Sequence, residues 1–225
     1  MPEQLVTQVQ HTLAALADPA RAVAMHAYLR EQFPFLGIPT PARRAALKPL
    51  LKVDFDQQRL LTVADRLWWL PEREYHYAAI DLLARHVGRL DLSAVGPLLA
   101  LAQREPWWET VDGLAGVVGD VVRAARRSDP DAQAAMDAAL RHECLWVRRI
   151  AMIHQLGWRL ETDSARLFGY AETLAPEGGF FIRKAIGWAL RDYARWNPQA
   201  VRDFVAAMGG NLAPLSAREA TRRIA

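Results

Sequence analysis

At 225 residues and 52% apolar, the chain can bury a sizeable core, and no run approaches the ~18 uncharged apolar residues of a membrane span. One cysteine, Cys144, excludes an internal disulfide and fits a reducing compartment. The opening Met1-Pro2-Glu3-Gln4-Leu5 lacks the basic-then-apolar plan of a signal peptide, so a cytoplasmic location is expected.

The net charge of +3 is modest but lopsided, because Lys48, Lys52 and Lys184 are the only lysines and 25 of the 28 basic residues are arginine. Arginine presents a planar fork of donors that matches phosphate. A GC-rich genome produces the same bias, so charge permits nucleic-acid binding without establishing it.

In chain order the signals are helical. Leu5, Val9, Leu13 and Leu16 form an apolar stripe of period 3.6. Asp18-Pro19, Thr40-Pro41, Asp129-Pro130 and Asn197-Pro198 each place a capping side chain before a proline suited to a first helical position. Ile186, Leu190 and Tyr193 belong to another stripe, and Ser216 with Glu219 reads as a capping box. No segment alternates as a strand bounded by hairpin turns. About twelve helices of ordinary length account for the chain, and the class is all-α. The loop signals at Pro176-Glu177-Gly178-Gly179 and Gly209-Gly210-Asn211 are too short to part domains, so a single domain over 1–225 is expected.

A weak repeat runs beneath this pattern. Tyr75, Trp108, Trp146 and Phe181 stand near the starts of four similar helices, separated by 33, 38 and 35 residues. Recurrence at ~33–47 residues marks paired-helix solenoids, whose units stack because none can bury its apolar face alone.

Most cofactor chemistry has no foothold. The six histidines show no metal spacing, Cys144 has only His142 nearby, and there is no glycine-rich phosphate loop. Carboxylates, aromatics and arginines remain, with no metal or other cofactor expected. The most informative stretch is Pro106-Trp107-Trp108-Glu109-Thr110-Val111-Asp112. On a helix, Trp108 and Asp112 project from one face, setting an electron-rich ring beside a carboxylate. That pairing suits a developing positive charge. A core tryptophan beside a solvated aspartate is the simpler alternative.

Four stretches together resemble the AlkD-type DNA alkylation repair glycosylases. They are Phe35-Leu36-Gly37-Ile38-Pro39-Thr40-Pro41-Ala42-Arg43-Arg44, Trp69-Leu70-Pro71-Glu72-Arg73-Glu74-Tyr75, Trp107 through Asp112, and Phe180-Phe181-Ile182-Arg183-Lys184-Ala185-Ile186-Gly187-Trp188 with the residues to Ala194. The likeness spans nearly the whole chain in order. It implies a HEAT-like superhelix of antiparallel helix pairs with double-stranded DNA in its concave groove. It also implies excision of cationic alkylated purines, chiefly 3-methyladenine and 7-methylguanine, by a monomer needing no metal, cofactor or membrane.

Motif by motif, the family's catalytic aspartate falls on Asp112 and its active-site tryptophans on Trp108 and Trp188. Its arginine falls on Arg149, the register being set by Leu145-Trp146, and its N-terminal tyrosine on Tyr28. Arg149 would anchor a phosphate, with Arg148, Arg43, Arg44 and Lys184 as further basic candidates for DNA contact. Arg148 has a surface ion pair as its alternative, and Lys184 a packing role. Trp68, Trp69, Trp107 and Trp146 are expected in the core. A non-catalytic HEAT-like module binding DNA or protein is the alternative to an enzyme.

Overall fold

The computed structural model describes residues 1–222, which hold thirteen α-helices, four short 3-10 turns and no strand. None of the described helices is long and apolar enough to cross a membrane. The all-α class expected from the sequence is the class observed. Within the single domain expected, contacts gather into two compact units, Met1–Pro97 and the chain from Leu98 onward.

The first unit carries α1 (Pro2–Ala14), α2 (Pro19–Tyr28), α3 (Thr40–Leu47), α4 (Gln57–Trp68) and α5 (Arg73–Arg85), and the division falls within α6 (Val95–Leu101). Leu5, Val9 and Leu13 are buried as their spacing requires, but Leu16 lies beyond the end of α1 and is exposed. Glu74 of α5 is fully buried, and its carboxylate accepts the N–H groups of Leu36, Gly37 and Ile38 at 2.9–3.0 Å. Three donors on one carboxylate offset the cost of burying it.

The second unit carries α7 (Trp108–Ala125), α8 (Ala134–Ala139), α9 (Leu145–Ile153), α10 (Ser164–Leu174), α11 (Phe180–Tyr193), α12 (Pro198–Met208) and α13 (Pro214–Thr221). α9 packs between α7 and α11, and α11 packs in turn on α13. Two glycines permit the close approaches. A Cβ on Gly119 of α7 would stand 2.0 Å from the His154 carbonyl oxygen, and one on Gly187 of α11 would stand 2.5 Å from the Glu219 Cβ.

Inside each unit, polar ties recur at one repeat of sequence. Glu74 reaches back 36–38 residues, Arg123 pairs with Glu161 at 38, the Asp192 carboxylate accepts the Gly157 N–H at 35, and the Ser216 hydroxyl donates to the Arg183 carbonyl at 33. These separations match the aromatic recurrence. In the second unit α7 meets α9, α9 meets α11 and α11 meets α13, contacts compatible with stacked helical repeats.

The helix starts separate good sequence signals from false ones. Asp18 and Asn197 cap α2 and α12, accepting the N–H groups of Arg21 and Ala200 at 3.1 Å. Asp56 and Asp163 cap α4 and α10 without any proline to advertise them. Thr40 is already helical, with Pro39 at the cap position and no side-chain bond. Asp129-Pro130 opens a turn, the Asp129 carboxylate accepting the Asp131 N–H at 2.8 Å, and α8 starts only at Ala134. Ser216 and Glu219 form no capping box, because α13 starts at Pro214 and both side chains bond to α11 instead. Trp68 and Trp146 are buried, but Trp69 follows the end of α4 and is exposed.

Candidate active site

α7 begins at Trp108 because Trp107 is extended, so Trp108 and Asp112 stand one turn apart on a single face. Asp112 meets Arg149 of α9 in a two-pronged pair: Nε donates to Oδ1 and Nη2 to Oδ2, both at 2.8 Å. The third prong, Nη1, donates to the Phe181 carbonyl of α11 at 2.6 Å. The arginine side chain is 1% exposed, whereas Asp112 keeps 21%. A fork with both carboxylate oxygens occupied fixes the orientation of the carboxyl as well as its charge.

Burial pushes the Asp112 carboxyl above the ordinary aspartate range, and the Arg149 fork opposes that rise. A buried arginine stripped of water requires such a partner. The expected phosphate anchor is therefore found closed on the carboxylate, one repeat away in sequence.

Trp188 of α11 completes the arrangement. The Arg149 guanidinium carbon lies 5.3 Å from its ring centroid and the Lys184 Nζ 5.5 Å. Both are within cation–π range. Trp108, Arg149, Phe180, Phe181, Lys184 and Trp188 line an open cleft of about 190 Å³. Behind it the rings of Trp107, Trp146 and Phe181 pack on one another at 4.9–6.0 Å, joining the starts of α7, α9 and α11. Phe180, 59% exposed, packs edge-on against Phe181 at the cleft rim.

Four of the residues expected at the site thus belong together in the second unit: Trp108, Asp112, Arg149 and Trp188, with Lys184 beside them. Lys184 is held at 2.7 Å by Glu219 of α13. Arg148 turns elsewhere, bonding both oxygens of Glu177 at 2.7 and 3.0 Å and the carbonyls of His142 and Glu143. Tyr28, Arg43 and Arg44 belong to the first unit. Tyr28 ends α2 with 73% of its surface exposed. Arg43 is buried, with Nη2 3.1 Å from Asp81 and its guanidinium over the Tyr77 ring, while the exposed Arg44 reaches the same aspartate at 3.0 Å.

Sequence reasoning passed over Phe180, Phe181 and Glu219 as site residues. The Phe180-Phe181 doublet heading a helix was a usable signal, since two adjacent aromatics cannot both face one core. The starts of α9 and α11 add a second feature: neither Cys144 nor Gly179 gives a side-chain cap, and neither first turn holds an acid. Among the described residues, no cluster of three His, Cys, Asp or Glu side chains could hold a metal ion.

A family model described as "DNA alkylation repair enzyme" matches residues 9–224. Among solved structures, the chain is similar to a "Predicted DNA alkylation repair enzyme" from Enterococcus faecalis. The two are 33% identical, the match covers 93% of this chain and 97% of that one, and the TM-score is 0.86. No curated protein matches.

Proposed function

The chain belongs to the DNA alkylation repair enzyme family, and on that footing we propose that it is a monofunctional DNA glycosylase. Its substrates would be cationic alkylated purines in duplex DNA, 3-methyladenine and 7-methylguanine, and its work hydrolysis of their N-glycosidic bonds. The observation that carries the reading is the Asp112 carboxylate, locked by Arg149 on the helix face it shares with Trp108, with Trp108 and Arg149 themselves lining an aromatic cleft.

A purine methylated at N3 or N7 already bears positive charge and departs as a neutral base. No acid is needed to protonate it. As the bond lengthens, positive charge develops on the deoxyribose. A preoriented carboxylate beside the sugar stabilises that charge and orients or deprotonates the attacking water. The ring faces of Trp108 and Trp188 add cation–π attraction and exclude solvent. Arg149 acts through Asp112, holding both oxygens in place.

Two features favour contact with the DNA backbone and sugar over extraction of the base into a pocket. The cleft is open, and its lining offers ring faces and cations but no carboxamide, hydroxyl or carboxylate to read a base edge. The side-chain-free starts of α9 and α11 leave N–H groups suited to a phosphate. In this reading Tyr28 and Arg44 of the first unit are further candidates for DNA contact.

Duplex DNA carrying 7-methylguanine, 3-methyladenine or neutral 1,N6-ethenoadenine, incubated with the protein and assayed for free base, tests the proposal. Release of the two cationic bases and retention of the neutral one is expected. Release of no base would leave a non-catalytic DNA-binding module, and efficient release of ethenoadenine would overturn the charge-selective mechanism.

A further inference from the structure

Every cation at the cleft is matched by an acid, and the match is made in two separate places. Arg149 is closed on Asp112. Lys184 and Arg191, seven residues apart on α11, converge on the two oxygens of Glu219: Lys184 Nζ on Oε1 at 2.7 Å and Arg191 Nη1 on Oε2. Glu219 belongs to α13 and stands outside the lining of the cleft. Its pKa is drawn below the ordinary glutamate range, chiefly by the Lys184 hydrogen bond. Its backbone is pinned against α11 at Gly187, where a side chain would strike the Glu219 Cβ, and by the Ser216 hydroxyl on the Arg183 carbonyl at 2.9 Å. The carboxylate is thus placed by the helix contact as well as by its charge partners.

We propose that Glu219 is a positioning residue for the reaction. It holds the Lys184 ammonium beside Trp188 and offsets its charge, so that the cleft accepts DNA without opposing the positive charge that develops on the sugar. The inference rests on the glycosylase reading. An ammonium near the Trp188 ring, left without its counter-charge, would act in two opposite senses. It would draw phosphate more strongly, and it would raise the barrier to forming a cationic sugar, because a like charge nearby is repulsive. Glu219 separates the two effects. A helix-packing role alone would weaken both binding and turnover through lost stability.

The test compares Glu219→Gln, which keeps shape and loses charge, with Glu219→Asp, which keeps charge. Affinity for an undamaged duplex is measured across salt concentrations, and excision of 7-methylguanine under single-turnover conditions at saturating enzyme. In Glu219→Gln the dependence of log affinity on log salt steepens by about 0.9, the value of one added phosphate neutralised. Excision slows about tenfold, the size of effect that a barrier rise of ~1.4 kcal/mol produces. Glu219→Asp stays within a few-fold of the parent in both.

Adding Lys184→Gln to Glu219→Gln returns the salt dependence to the parent's, since of the two cations released Lys184 lines the cleft and Arg191 does not. An unchanged salt slope in Glu219→Gln, or a steepening that survives removal of Lys184, would overturn the proposal. If the parent protein releases no base, the glycosylase reading fails, while the salt measurements still decide whether Glu219 restrains Lys184. Should Glu219→Gln not fold, Lys184→Gln alone decides. Removing a charge already offset by Glu219 shifts the salt slope by well under ~0.9, and a flattening of that full size contradicts the idea.

Discussion

Acidification from neutral pH to pH 4 is expected to destabilise the second unit through one side chain, His154. The imidazole is buried where α9 ends, and burial pulls its pKa down to about 4 from an ordinary 6.5. Its Nδ1 is 2.7 Å from the Ala151 carbonyl, so that nitrogen carries the proton. Its Nε2 faces the Gln133 amide nitrogen at 3.3 Å and accepts from it. Arg126 and Arg166 nearby disfavour a second proton, and Asp137 favours it less strongly than burial opposes it.

A histidine whose folded pKa is depressed contributes stability that is whole above about pH 6.5 and lost as pH falls toward 4, because the unfolded chain takes up a proton the folded one refuses. The gap between 6.5 and about 4, at about 1.36 kcal/mol for each pH unit, amounts to about 3 kcal/mol. Urea unfolding of the parent and of His154→Asn at several pH values between 7 and 4 measures it. Asn keeps a donor near the Nδ1 position and does not titrate, so its stability curve should be flatter by about 3 kcal/mol over that range. Parallel curves would show that His154 is not the titrating group and would refute the argument.

Other perturbations have definite outcomes. Gly119→Ala sets a Cβ 2.0 Å from the His154 carbonyl oxygen, so α7 and α9 must part. A loss of at least about 2 kcal/mol in urea unfolding is expected, and a change below ~0.5 kcal/mol would mean the helices separate easily. Arg149→Lys keeps the positive charge but loses the fork. Excision should fall roughly 10–100-fold with little change in affinity for undamaged duplex, whereas a matching loss of affinity would make Arg149 a phosphate ligand. The acid limb of kcat/KM should lie above the ~3.9 of an ordinary aspartate, since burial raises Asp112 and activity is lost as it is protonated. A limb at or below that value would point to another group.

Local patterns in the sequence carried most of the fold. Stripes such as Leu5, Val9 and Leu13 and caps such as Asp18 and Asn197 depend on neighbours within one or two turns, and these stand where their spacing put them. Ser216 and Glu219 misled for the opposite reason. Their spacing satisfies a local motif, but their partners Arg183, Lys184 and Arg191 lie 28–35 residues away.

The candidate site divides along the same line. Trp108 and Asp112 share a helix face and were legible as a pair. The grip of Arg149 on Asp112, 37 residues distant, and of Arg43 on Asp81, 38 distant, is tertiary. Arginine read from sequence looks like a phosphate ligand. In the structure Arg43 and Arg149 are withdrawn from water and Arg148 is half-buried, and each bonds a carboxylate. The repeat length of about 35 residues was the available clue, because acids one repeat from an arginine on equivalent helices become its neighbours.

Single-turnover release of 7-methylguanine by Asp112→Asn, beside the parent, tests the central claim most directly. The substitution preserves size and removes the charge. The account predicts excision lower by roughly 10²–10³-fold, as for loss of one preorganised electrostatic stabiliser, in a protein that still folds and binds duplex but melts at a lower temperature, because the buried Arg149 loses its charge partner. Turnover within a few-fold of the parent, in a folded protein that binds DNA normally, would contradict it.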